Sequence, residues 1–182
     1  SLIKDYKNMI TMDLKEAKNI LLVIGKTEGH LDQSLFSRDI LNEKNGPPPE
    51  INLFNEKNNG ETILKLIDKN FIQSAHDVSL GGIITALSKM CIKGKKGATL
   101  IKPNFLINKF EYLFGEDQGR YIIEINKTNL KDVIKILTEN SVHFDELGTV
   151  NGDNLIIDDK SKVSIDDLIK SHTTWLTNYM SK

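Results

Sequence analysis

The amino-acid sequence predicts an α+β domain of mixed α/β character, a central mixed sheet flanked by helices, on three observations. Short apolar runs alternate with amphipathic stretches of helical period along most of the chain. Loops bearing glycine, asparagine and proline separate these segments, as in a domain of many short elements. The 182 residues suit one domain burying roughly two-thirds of its unfolded surface.

Residues 1–18 show weak periodicity and read as a leader or linker from a preceding domain, with Leu2, Ile3, Met9 and Ile10 docking on the body. The domain proper is expected over 19–182. Asn19 to Gly25 is a continuous apolar run closed by glycine, a strand buried on both faces. Gln33 to Leu41 can form a short helix, and Asn45-Gly46-Pro47-Pro48-Pro49 forces an extended surface strap. Asn58 or Asn59 is the expected cap of a helix to Lys69 with Ile63, Leu66 and Ile67 on one face.

Phe71 to Val78 reads as a strand, and Gly81-Gly82 opens a helix whose buried stripe is Ile83, Ile84, Leu87, Met90 and Cys91. Gly94 is the expected stop. Gly97 to Ile101 is a further strand, Ile107 to Phe114 a short helix, and Tyr121 to Ile125 a strand whose alternation points Glu124 outward. A helix follows through Leu130, Val133, Ile134 and Leu137. His143–Val150 and Leu155–Asp158 read as a hairpin about Asn151-Gly152-Asp153. Ser164 caps a last helix, with Ile165, Leu168, Ile169, His172, Leu176 and Tyr179 along one side and Trp175 at its edge.

A formal net charge of −1 with scattered lysines lacks the basic footprint of a nucleic-acid binder. No apolar run approaches the roughly 18 residues of a membrane span. One cysteine, Cys91, excludes a disulfide framework and a thiolate metal site and fits a reducing cytoplasm. Arginine occurs only at Arg38 and Arg120, so each is either a place where a planar fork of donors is needed or chance.

Three stretches can carry chemistry. In His76-Asp77-Val78-Ser79-Leu80-Gly81-Gly82 a strand runs into a helix whose N-terminal N–H groups suit phosphate, with glycines that admit a ligand or a neighbouring backbone. Equally, Asp77 and Ser79 can be plain caps and His76 a core residue. Phe114-Gly115-Glu116-Asp117-Gln118-Gly119-Arg120 crowds donors and acceptors for a ribose or amide into a glycine-flanked loop, or is only a charged turn. Gly25-Lys26-Thr27-Glu28-Gly29-His30 lacks the spacing of a phosphate-binding P-loop. No nucleophile elbow, zinc pair or dinucleotide fingerprint occurs.

The order of these motifs, with Gly29-His30-Leu31-Asp32-Gln33-Ser34 and Gly46-Pro47-Pro48-Pro49 between them, resembles the C-terminal domain of the aminoimidazole-ribonucleotide-synthetase-like superfamily from about Ile20 onward. Within it the chain is most similar to the final domain of the formylglycinamidine ribonucleotide synthetases, as the second C-terminal-type copy. That resemblance implies part of a carbon–nitrogen ligase of de novo purine biosynthesis. Such enzymes convert formylglycinamide ribonucleotide, glutamine-derived ammonia and ATP to formylglycinamidine ribonucleotide, ADP and phosphate. It implies ATP and Mg2+ for the full-length enzyme, and no cofactor certain for this domain. The implied partners are the preceding domains, a glutaminase subunit and a small accessory subunit, in the cytoplasm.

Catalytic groups are then expected outside the chain, leaving an isolated fragment inactive. Ser79, Gly81 and Gly82 are expected to face phosphate, and Glu116, Gln118 and Arg120 ligand polar groups, with His76, Asp77 and Thr27 as further candidates. Asp77 is the only metal candidate. Two departures, Leu80 at a usually acidic position and Asp32 at a usual glycine, predict a weakened magnesium or nucleotide role. The alternatives are a non-catalytic scaffolding domain and the C-terminal domain of another such ATP-dependent enzyme.

Overall fold

The apolar run Ile20–Ile24 becomes the central strand β1, with all five residues buried. This computed structural model describes residues 6–44, 46–102 and 107–181; Leu2 and Ile3 lie outside them. β1 runs antiparallel to β4 (Arg120–Ile125) on one side and to β5 (Phe144–Val150) on the other. β4 carries the edge strand β2 (Ile72–Val78), and β5 carries β3 (Ala98–Leu100), both antiparallel. β3 pairs in parallel with β6 (Asn154–Ile156), which pairs antiparallel with β7 (Lys162–Ser164). The order β2-β4-β1-β5-β3-β6-β7 is therefore a mixed sheet, as predicted.

Helices cover both faces, which is why β1 shows no polar alternation. Helices α1 (Leu53–Asp68) and α4 (Leu130–Glu139) set Ile63, Leu66, Val133 and Leu137 against Ile20, Leu22, Ile24 and Ile123. On the opposite face, α2 (Gly82–Gly94), the short α3 (Lys109–Phe114) and the start of α5 (Ile165–Met180) pack on Leu21, Val23, Ile122 and Leu147. Each fully buried side chain of β1 contributes about 2 kcal/mol of apolar transfer. Among the described residues no helix is long and apolar enough to cross a membrane.

Several expectations are corrected. α1 begins at Leu53, capped by Asn52, whose side chain accepts from Asn55 N at 3.0 Å. Its first turn exposes Leu53 and Phe54, so no apolar face marks it in the sequence. Asn58 and Asn59 instead donate to Asn140 O and Gly119 O. The hairpin about Asn151-Gly152 does not form, because β3 inserts between β5 and β6. Gly97 exchanges backbone bonds with Gly152 and Asn151, seating β3 in that gap. Lys162–Ser164, of which the sequence marks only Ser164 as a helix cap, is the edge strand β7. Beyond Ile169 the stripe of α5 is not buried: Trp175, Leu176 and Tyr179 are exposed, with the Trp175 and Tyr179 rings stacked at 5.3 Å.

Glu124 does not point outward. It is fully buried and accepts from Lys15 N, Glu16 N, Asn19 Nδ2 and Ser74 Oγ at 2.7–3.0 Å. Strand alternation supplied the wrong side because β4 is a central strand, covered on both faces. Of the leader contacts expected, Ile10 packs on the core while Met9 is exposed; Leu14 is the buried anchor.

The α2 terminus also differs by one residue. Gly94 is still helical, and Lys95 takes the left-handed conformation with φ 49°. Gly94 is needed for another reason, since a Cβ there would meet Leu14 O and N at 2.5 and 2.6 Å. Gly94→Ala should therefore destabilise the fold by about 1–3 kcal/mol, as overpacking does, and not yield the roughly 1 kcal/mol gain of an ordinary helix interior. Denaturant unfolding measures which sign wins.

Cys91 is buried in the core, and desolvation pushes its thiol up to about 12. Its thiolate is scarce at pH 8, so alkylation at that pH should proceed only from the unfolded chain. Labelling that keeps pace with unfolding measured in parallel is the expected result.

Candidate functional site

The antiparallel register brings the three sequence motifs to one end of the sheet. Val78 at the end of β2 faces Arg120 at the start of β4, and Ile24 at the end of β1 faces Tyr121. The 25–30 loop, the β2–α2 junction and the 115–119 loop therefore converge.

Arg120 joins two of them, the 25–30 and 115–119 loops. Its guanidinium is fully buried: Nη2 donates to Gly115 O at 2.6 Å, Nε to Asp117 O at 3.1 Å and Nη1 to Thr27 Oγ1 at 3.2 Å. Asp117 Oδ2 lies 3.5 Å from Nη1. Burial lowers the guanidinium's pKa from its ordinary value, with Asp117, Tyr112 and Glu116 pulling it back up. Asp117 also accepts from Glu28 N, Gly29 N and His30 N at 3.0–3.1 Å, so one carboxylate shapes the whole 28–30 turn.

Glu116 is buried and its Oε1 accepts from Gly81 N and Leu35 N, each at 2.8 Å. It thereby places the chain's own carboxylate at the N-terminus of α2, where a negative charge is favoured. Gly82 N donates to Ser79 O at 3.0 Å.

These contacts show where the polar atoms of the candidate residues are bonded. Gly81 and Gly82 do not hold free N–H groups toward a phosphate, and Glu116 and Arg120 turn their polar atoms inward. A buried charge must be paired, and the loops supply those partners from within. The glycines admit a neighbouring backbone: Gly82 has φ +69° and a Cβ on it would meet Leu113 O at 2.6 Å. Ser79, Asp77 and Gln118 stay exposed and Thr27 is half-buried, with Gln118 Nε2 3.4 Å from Glu116 O.

His76 is mostly buried along β2. Its Nδ1 lies 3.0 Å from Asp77 Oδ1, and Nε2 is buried with no hydrogen-bond partner among the described residues. Among the described residues no group of three or more His, Cys, Asp or Glu is arranged to hold a metal ion. Leu80, at the departure, is an exposed apolar side chain; Asp32 sits against Gly46.

A cleft of about 970 Å³ opens beside these loops, lined by Lys26, His30, Glu56, Gln118 and His143 among others. The proline strap walls it, held by His30 Nε2 at 2.9 Å from Pro47 O and by Gln33 Nε2 donating to Gly46 O. A smaller cavity of about 430 Å³ lies apart from the three motifs, between Leu100, Ile107, Tyr112 and Ile157. Asp117 and Asn59 shape the cleft wall; in the sequence Asp117 is one of the two carboxylates of the glycine-flanked loop and Asn59 is a helix-cap candidate, and neither is assigned a ligand role. A carboxylate between two glycine turns was the available signal for Asp117.

Arg120→Lys keeps a charge but not the fork of donors. It should cost about 3 kcal/mol or more, as breaking a buried charged network does, measured by denaturant unfolding.

Comparison with known proteins places the chain as follows. The family model described as AIR synthase related protein, C-terminal domain, matches residues 17–160. The chain is 87% identical over 179 residues to the phosphoribosylformylglycinamidine synthase subunit PurL of Pelagibacter ubique (strain HTCC1062), covering 98% of this chain and 24% of that protein. It thus spans about a quarter of the length of that relative. Among solved structures, Thermotoga maritima PurL complexed with FGAR superposes with a TM-score of 0.75 at 17% identity, covering 90% of this chain and 30% of that one. T. maritima PurL complexed with ATP gives a TM-score of 0.68 at 16% identity, covering 90% and 28%.

Proposed function

The chain belongs to the AIR synthase related C-terminal-domain family, and we propose that it serves as the last domain of the synthetase subunit of phosphoribosylformylglycinamidine synthase. The proposal rests on near-identity to such a subunit along almost the whole chain. The whole enzyme then uses ATP to phosphorylate the amide oxygen of formylglycinamide ribonucleotide. Ammonia from glutamine forms the new C–N bond as phosphate leaves. The partners are the remaining domains of the same polypeptide, the glutaminase subunit and the small accessory subunit, in the cytoplasm.

Within that enzyme this chain binds and orients; it supplies no reacting group. ATP with Mg2+ provides the phosphoryl chemistry, and this domain does not offer a metal-holding set among its described residues. Arg120, Asp117 and Glu116 position the three loops from within. Thr27, Ser79, Asp77 and Gln118 meet ligand polar groups, and of these Gln118 lines the cleft.

The inward bonding of Glu116, Arg120 and Gly81 favours a second reading, in which the junction is only a scaffold against the preceding domains. Kinetics of the assembled full-length enzyme separate the two. Gln118→Ala and Ser79→Ala should each raise a substrate KM by about three- to tenfold, the worth of one hydrogen bond, at unchanged melting temperature. Unaltered KM and kcat in both would leave the scaffold reading standing.

A further inference from the structure

The segment leading into β1 is bound to the body in an unusual way. From Asp13 to Asn19 it forms no strand or helix. Its backbone bonds to the body include Ala75 N to Thr11 O at 3.2 Å and Leu14 N to Met90 O at 3.3 Å, both long, and Lys18 N to Val150 O at 2.8 Å. Between these, two consecutive N–H groups, of Lys15 and Glu16, are given to one side chain, the buried carboxylate of Glu124, at 2.8 and 3.0 Å.

Each carboxylate oxygen accepts twice. Oε2 takes Lys15 N and Ser74 Oγ; Oε1 takes Glu16 N and Asn19 Nδ2. Two of the four donors belong to residues 11–18, the third is Asn19 at the entry to β1, and the fourth lies on the edge strand β2. The segment and β2 are thus joined through a side chain of β4 as well as by the long backbone bond from Ala75 N to Thr11 O.

We infer that residues 11–18 are a latched strap, a unit separable from the body of the domain, and that the Glu124 carboxylate is its latch. Opening it bares the outer edge of β2, where Thr11 bridges Ser74, and the socket of Leu14 against Met90 and Gly94. The opening is local, because β1, β4 and β5 keep their full ladders without the strap.

Glu124→Gln tests the latch with almost no change of shape. An amide has one acceptor end. If its NH2 lies at the Oε2 position it meets Lys15 N–H, and at the Oε1 position it meets Glu16 N–H. Ser74 can rotate and Asn19 can flip to compensate, but a backbone N–H cannot, so one is left without an acceptor in either orientation.

Residue-resolved hydrogen exchange on the full chain reads the result. The Lys15 to Lys18 amides should exchange about ten- to a hundredfold faster in Glu124→Gln, while Leu22 and Ile123 in the central strands keep their protection. Brief trypsin treatment should cut first after Lys15 or Lys18. Equal acceleration of strap and central strands would overturn the inference, since the strap would then open only with the whole domain. So would unchanged strap exchange. Should the Gln variant not fold, Ser74→Ala removes one donor and keeps the carboxylate. It should give a smaller acceleration, again confined to the strap, and a uniform one would count against separability.

Discussion

One buried guanidinium holds together the end of this domain at which the three motif loops converge. Arg120 sits where β4 begins, and its donors end on a carbonyl before the turn, a carbonyl within it and a hydroxyl of the neighbouring loop. Desolvating such a charge is expensive, and it is sustained only when every direction of the fork finds an acceptor. The fold meets that condition by bending residues 115–119 back over the arginine. That bend aims Asp117 at the 28–30 amides and Glu116 at Gly81. The positions of three loops thus follow from satisfying one side chain.

The same constraint explains the small residues around it. With α3 ending directly above the start of α2, no side chain fits at Gly82, and the positive φ there favours glycine further. The helix N-terminus that such a junction would offer to an external anion already has an anion, Glu116. What remains for a ligand is the rim around this packed centre and the cleft beside it. A domain so arranged presents a firm wall at this end.

Much of this was legible from residue order alone. The apolar run of β1, the stripe of α2 and the capping serine of α5 were plain because each depends on local spacing. The convergence of the three motifs was not, because strand order is set by pairings between distant segments. For the same reason β3, between β5 and β6, defeated a hairpin that Asn151-Gly152 suggests locally. Glu124 misled because a carboxylate in a strand is normally at the surface; its burial depends on donors from Lys15, Glu16 and Asn19, more than a hundred residues earlier. Orientation was likewise hidden: sequence shows that Glu116 and Arg120 are polar, not that their partners lie inside.

The two arginines of this lysine-rich chain make the distinction concrete. Arg38 is exposed and its fork rests on the adjacent Asp39, at 2.7 and 3.0 Å. A surface pair of that kind contributes little, and a lysine could replace it. Arg120 cannot be replaced so, because an ammonium has no planar set of donors to reach Gly115 O, Asp117 O and Thr27 Oγ1 together. Rarity of a residue type therefore does not by itself mark function: of two equally rare arginines, burial and the number of fixed acceptors separate the one the fold requires from the one it tolerates.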